Sequence, residues 1–90
     1  MIERVEFDKY PPESVRLAFC GWMRHHGLDP AVVALPGWIE RDTDRRLVRC
    51  VGYHLDERGV PMLTDDREDA VRYVQRYQLE AIPSPFPDVE

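Results

Sequence analysis

The sequence predicts a small α+β domain in which a helix, a three-stranded antiparallel meander and a second helix follow one another. Apolar residues recur with a helical period near the N-terminus and again after Thr64, which indicates two helices. Between Gly37 and Thr64 they alternate instead with the period of pleated strands. Two polar turns, Asp42-Thr43-Asp44 and Asp56-Glu57-Arg58-Gly59, divide that central stretch into three strands.

The N-terminal region is predicted to form a short arm, residues 1–10, and then the first helix. Apolar residues alternate briefly in the arm, so it is either an extra edge strand or a pinned extension. Pro11-Pro12-Glu13 suits a helix start, because proline is tolerated in the first turn and an acid there complements the helix dipole. Gly27 is expected to end the helix in a left-handed conformation, and Pro30 forbids its continuation.

The predicted pairing of the first two meander strands decides which residues share a face of the sheet. A three-residue turn at 42–44 would place Ile39 opposite Leu47, an apolar pair. It would also place Glu40 opposite Arg46, a pair of opposite charges. In that register the core face contains Val33, Leu35, Ile39, Leu47, Val51, Tyr53, Leu55, Val60 and Met62. The opposite face contains Trp38, Val48, Cys50 and His54.

The second helix is predicted to start after Thr64 or Asp65, because acidic residues crowd its first turn and anions are favoured there. Its buried stripe would consist of Ala70, Tyr73, Val74, Tyr77 and Ala81. The domain would extend over residues 1–82, and the proline-rich residues 83–90 would form an extended tail. The expected core residues are Leu47, Val51, Tyr53, Phe19, Trp22, Val74 and Tyr77.

Composition limits the function classes open to the chain. Its 90 residues suffice for one domain with a modest core, and no apolar run approaches the ~20 residues of a membrane-spanning helix. The first residues lack the basic and apolar regions of a secretory leader, so a cytoplasmic protein is expected. Two cysteines, Cys20 and Cys50, are too few for a disulfide framework and fit a reducing compartment.

No cofactor, metal ion or catalytic activity is expected. Cys20 and His25 would lie about 140° apart around a helix. Cys50 and His54 would lie about 13 Å apart along a strand, so neither pair could chelate one ion. The sequence also lacks a glycine-rich phosphate loop and an acid pair in an apolar setting. His26 lies in the apolar stripe of the first helix and is expected to be a half-buried structural residue.

The predicted order of elements resembles the double-stranded-RNA-binding domain over Pro12 to Ala81. That resemblance implies phosphate contacts at the start of the second helix and in the loop between the first two strands. The matching positions, Asp65–Asp69 and Asp42–Asp44, are mostly acidic and would repel a phosphate backbone. A nucleic-acid-binding β-hairpin that uses its arginines is the alternative to the main prediction. It ranks second because five acids interleave with those arginines and cancel their field. Those arginines are Arg41, Arg45, Arg46, Arg49 and Arg58.

The main prediction is a non-catalytic protein-binding module. Two helices would cover one sheet face, and the other face would expose apolar side chains of the kind that interfaces favour. The predicted partner-binding residues are Trp38, Val48, His54 and Arg46, with Trp38 as the energetic anchor. The partner would be another protein or a second copy of the chain. The alternative is that the arm, or the tail with Phe86, folds over this face.

Charge and basic-residue usage add one resemblance. The net charge is −5, and Lys9 is the one lysine among twelve basic residues. In length and in its Arg-rich, Lys-poor composition, the chain resembles the short proteins carried by phages of high-GC actinobacteria. This resemblance implies a cytoplasmic protein that binds a host factor.

Overall fold

The structure, a computed structural model, describes residues 1–88 and contains one α-helix and a four-stranded antiparallel sheet. The helix α1 (Glu13–His25) lies between the first and second strands in the chain, and a 3₁₀ turn, Pro30–Val32, follows it. The strands, in their order across the sheet, are β1 (Ile2–Phe7), β2 (Gly37–Asp42), β3 (Leu47–Tyr53) and β4 (Arg72–Gln78). The α+β class is confirmed, and the N-terminal arm forms an edge strand. The third strand of the predicted meander is wrong, because residues 54–71 form turns with isolated bridges and leave Val60 and Met62 exposed.

The second predicted helix is wrong. Arg72–Gln78 forms β4 and pairs with β3 along its whole length. The acidic residues before β4 form turns, in which the Asp66 carboxylate accepts a hydrogen bond from the Glu68 amide at 3.0 Å. The sequence of β4 is rich in aromatic and β-branched residues, and pairing satisfies the backbone groups of β3 that would otherwise be exposed at a sheet edge. The resemblance to the double-stranded-RNA-binding domain depended on that helix and is lost with it.

The helix α1 follows the sequence prediction closely. Pro12 precedes its first turn, and Gly27 adopts the left-handed conformation with φ 75°. The Leu28 amide donates to the Met23 carbonyl at 2.9 Å, and the Gly27 amide donates to the Arg24 carbonyl at 3.0 Å. These two bonds are those of a Schellman motif, so local sequence determines where the helix ends.

The pairing of β2 with β3 differs from the predicted register by three residues. Ile39 lies opposite Cys50 instead of Leu47, and Leu47 pairs with Asp42. Because side chains alternate along a strand, an odd shift exchanges the faces of β3 relative to β2. Val48 and Cys50 therefore share the helix-covered face with Ile39, whereas Leu47 lies on the opposite face.

A longer turn than expected explains this shift. Residues 43–46 connect the two strands, and Arg46 adopts a positive φ of 54°. The buried Asp42 carboxylate accepts hydrogen bonds from the amides of Asp44 and Arg45, at 3.0 and 3.1 Å. These local bonds stabilise the four-residue loop and outweigh the paired charges on which the predicted register depended.

The core lies between α1 and one face of the sheet, which we call the helix-side face. Its buried cluster contains Phe19, Trp22, Met23, Leu28, Ile39, Val48 and Cys50. Phe19 and Trp22 were expected there. Val51, Tyr53 and Val74 were also expected in the core, but the changed register and the strand β4 place them on the opposite face. Leu47 is buried outside the cluster.

The proline-rich segment 83–88 packs against α1. The Trp22 indole donates to the Ser84 carbonyl at 3.1 Å, and the Ser84 amide donates to Nε2 of His26 at 3.2 Å. The ring of Phe86 lies 5.0 Å from that of Trp22, measured between centroids. This segment therefore covers the helix side of the molecule. Residues 89 and 90 of the predicted tail lie outside the described residues.

Candidate functional site

The sheet face opposite α1 is the candidate site, and we call it the open face. Both α1 and the segment 83–88 pack on the helix side, so no helix of residues 1–88 covers the open face. Its side chains come from alternate positions of all four strands. They are Ile2, Arg4, Glu6, Trp38, Glu40, Asp42, Leu47, Arg49, Val51, Tyr53, Arg72, Val74, Arg76 and Gln78.

A charge network joins three strands across the open face. The strand register places Arg4, Glu40 and Arg49 in one row. Nε and Nη2 of Arg4 donate to Oε1 of Glu40 at 3.0 and 2.7 Å, and Nη2 of Arg49 lies 3.1 Å from Oε2. Glu40 is only 6 % exposed, so its carboxylate is bridged by two guanidinium groups away from water.

The strand β4 adds a further arginine to this row. Arg76 lies directly opposite Arg49, an arrangement of like charges that destabilises a sheet. Glu40 compensates Arg49, whereas Arg76 is exposed and has no carboxylate oxygen within 4.0 Å among residues 1–88. The open face therefore carries one unopposed positive charge at its β4 edge.

An apolar strip, defined as Trp38, Val51, Tyr53 and Val74, borders this row of charges. Val51 pairs with Val74, and Val74 is 52 % exposed. Trp38 is half-buried at the start of β2, and the Arg4 guanidinium carbon lies 4.2 Å from its ring centroid. Such a cation–π contact contributes about 0.5–1 kcal/mol at exposed sites and holds the indole against the sheet.

The four predicted partner-binding residues do not share a face. Trp38 lies on the open face, whereas Val48 is 0 % exposed in the core and cannot contact a partner in the folded protein. His54 is exposed beyond the end of β3, where its ring lies 5.5 Å from that of Tyr73. Arg46 lies in the β2–β3 loop. The structure thus retains Trp38 in the candidate site and removes Val48 from it.

Sequence reasoning missed Val74 and Arg76, because it assigned both to the second helix. One signal could have identified them. In 72–78 the residues Arg, Val, Arg and Gln alternate with Tyr, Gln and Tyr, which is the period of a strand with two different faces.

Several structural groups outside the open face have shifted pKa values. Burial raises the pKa of the Cys50 thiol to about 11. The pKa of His26 is lowered, mainly because burial disfavours its charged form. Hydrogen bonds from the amides of Val60 and Arg58 lower the pKa of Asp56. These shifts accompany core packing and turn formation.

The possible metal-ligand residues remain dispersed. Within the described part of the chain, no group of three or more His, Cys, Asp or Glu side chains is placed to hold a metal ion. Cys20, half-buried on α1, and Cys50, buried on β3, are both free thiols.

Relatives give no guide to function. Comparisons of the chain with protein-family models, curated proteins and solved structures find no match. Of the residues that the structure describes, none form a helix long and apolar enough to cross a membrane. Function is therefore inferred from the geometry of the chain itself.

Proposed function

We propose that the protein is a non-catalytic protein-binding module that contacts its partner through the open face. The observation that carries this proposal is the apolar strip beside the unopposed Arg76, on a sheet face that no described helix covers. A sheet face in water normally carries polar side chains at such positions. Tryptophan and arginine grouped with aliphatic residues have the composition of binding hot spots.

The chemistry of the open face specifies the partner in part. An apolar side chain of the partner would lie on the strip between Trp38 and Val74. A carboxylate beside it would pair with Arg76 and relieve the repulsion from Arg49. The partner is therefore a protein surface with an apolar anchor flanked by an acid. The resemblance of the composition to phage proteins supports a host protein of the cytoplasm in this role.

Single-stranded nucleic acid is the second candidate ligand. It is favoured by Trp38 and Tyr53, two stacking surfaces that lie among four arginines of the open face. However, Glu40 already bridges two of these arginines and cancels one of their two charges. Arg72 donates to the Pro36 carbonyl at 3.1 Å and lies near an aspartate. With a net charge of −5 on the chain, the open face offers little counterion release, so protein is the better-supported ligand.

Site-specific photocrosslinking in cells of the source organism tests the proposal. A benzophenone amino acid replaces Val74 on the open face or, as a matched control, Leu17, which is 54 % exposed on α1. We expect a discrete crosslinked protein from position 74 and not from position 17. Arg76→Glu should abolish this product, whereas Arg58→Glu in a distant turn should not. A product that survives Arg76→Glu, or that forms equally from both positions, would contradict the proposal.

Two solution measurements separate the other ligands. Fluorescence anisotropy with labelled single-stranded oligonucleotides should show no saturable binding at physiological salt. Sub-micromolar, salt-sensitive binding that is lost on changing Arg49 and Arg76 to Glu would favour nucleic acid instead. Sedimentation equilibrium of the wild type and of Trp38→Ala shows whether a second copy of the chain occupies the open face.

A further inference from the structure

We propose that a second site, separate from the open face, binds a small carboxylate with an apolar body in a groove beside α1. This α1 groove lies on the helix side, between α1 and the segment 29–35, and has a volume of about 300 Å³. Its walls include Phe7 from β1 together with Val33 and Leu35, all of them half-buried. An apolar concavity of this kind is the usual form of a small-molecule site.

The volume of the α1 groove limits the size of the ligand. An engineered apolar cavity of ~150 Å³ holds one benzene ring. A groove of about 300 Å³ is therefore large enough for two fused rings or for a chain of similar volume. The ligand class is a fused-ring aromatic acid or a fatty acid of medium length.

The charge at the mouth of the groove selects an anion. Arg16, Cys20 and Arg24 form one row along α1, at intervals of about 6 Å. Arg24 has no carboxylate oxygen within 4.0 Å among residues 1–88, and Arg16 has only Glu13 at 3.9 Å. The carboxylate of Asp29, on the opposite rim, accepts a hydrogen bond from the backbone amide of Ala31. Among the residues that line the groove, two guanidinium groups stand against one carboxylate, and Glu13 offsets the charge of Arg16 from outside the groove. A ligand carboxylate would therefore lie nearest Arg24, the groove arginine with no acidic partner among residues 1–88.

The two thiols of the protein provide a direct readout of occupancy. Cys20 is half-buried and lines the α1 groove. Cys50 is 0 % exposed and its pKa is raised to about 11, so it does not compete for a thiol reagent in the folded state. The rate at which iodoacetamide alkylates the native protein therefore measures access to the groove at Cys20.

The test compares 1-naphthoate with its neutral analogue, 1-naphthalenemethanol, by intact-mass analysis of the alkylation rate. We expect naphthoate to slow alkylation saturably, with the alcohol needing a concentration about tenfold higher for the same protection. Changing Arg16 and Arg24 together to Gln should remove this preference, and Arg58→Gln in a distant turn should preserve it. All three residues are exposed, and a melting curve of each variant verifies its fold.

Several outcomes would overturn the inference. These are no protection by naphthoate, equal protection by the alcohol in the wild type, or a preference that survives the loss of both arginines. Amide chemical shifts give an independent measurement. On addition of naphthoate, the changes should concentrate in α1 and residues 29–35, and changes concentrated on the open face would refute the assignment of the site.

Discussion

A pair of substitutions in β3 tests the assignment of its two faces. Val48 is 0 % exposed on the helix-side face, whereas Val51 is half-buried on the open face and pairs with the exposed Val74. Replacing each valine by alanine removes the same two methyl groups from the same strand. The difference in unfolding free energy between the two variants therefore reports which face of the sheet is the core.

The structure gives the expected size of each effect. Two fully buried methyl groups of Val48 contribute about 1.6 kcal/mol of transfer free energy. The cavity that Val48→Ala leaves raises the total loss to about 2–3 kcal/mol. Val51→Ala gives up only part of the transfer term and leaves no enclosed cavity, so we expect a loss of about 0.5–1 kcal/mol. Both losses are measurable against the ~5–10 kcal/mol that stabilises a small domain.

Urea unfolding followed by circular dichroism measures these losses, with equal m-values as the check that both variants unfold from the same native state. Aspartate substitutions extend the contrast. Val48→Asp buries an unpaired carboxylate and should prevent cooperative folding, whereas Val51→Asp should fold. A larger loss for Val51→Ala than for Val48→Ala would refute the observed register and favour the three-residue turn.

Three further predictions concern the backbone, the pH dependence and the thiols. Gly37→Ala should cost roughly 1–3 kcal/mol of unfolding free energy, because the added Cβ would lie 2.5 Å from a backbone carbonyl oxygen. The control Gly21→Ala, which meets nothing within 4 Å on the helix surface, should gain about 0.5–1 kcal/mol, and equal effects would contradict the steric explanation. The pKa of His26 lies below 6.5 in the folded state, so the unfolded chain takes up the proton first and stability falls as the pH drops below about 6.5. Urea titrations at a series of pH values should show that stability declines less in His26→Ala, since the His26 imidazole accepts the hydrogen bond from the Ser84 amide only when it is neutral. An unchanged decline would exclude His26 as the cause. Ellman's reagent should find one reactive thiol in the native protein and two after unfolding, and rapid reaction of Cys50 in the native state would contradict its burial.

Features that depend on neighbouring residues in the chain could be predicted from the sequence. The helix α1 and its end at Gly27 were correct, because a proline start and a glycine stop act within one helical turn. The strand β3 was also correct, because its alternation is visible in the residues themselves, although its second neighbour in the sheet is β4 and not the strand expected before Thr64. Trp38 was placed on the open face, the part of the candidate site that the sequence could supply.

The register of β2 with β3 and the existence of β4 could not be predicted. The register of β2 and β3 depends on two hydrogen bonds that backbone amides donate to the Asp42 carboxylate, and those hydrogen bonds exist only once the loop has formed. The sequence of β4 satisfies both periods, since Tyr73, Val74 and Tyr77 have helical spacing while successive residues also alternate. What decides between them is the neighbouring strand β3, which is remote in the chain. Because the sequence predicted a helix at β4, Arg76 could not be assigned to the candidate site.

The position of β4 at the margin of the sheet has a consequence for solubility. An edge strand presents unpaired backbone groups that can recruit another chain, and exposed charges on such a strand oppose this aggregation. Arg72 and Arg76 flank Val74 along β4, so the arginines that favour an acidic partner also act as gatekeepers against amyloid-like pairing. A neutral substitution at position 76 would therefore weaken binding and promote precipitation together. Arg76→Glu keeps a charge on the edge strand but reverses its sign. It should therefore weaken binding of an acidic partner without promoting precipitation.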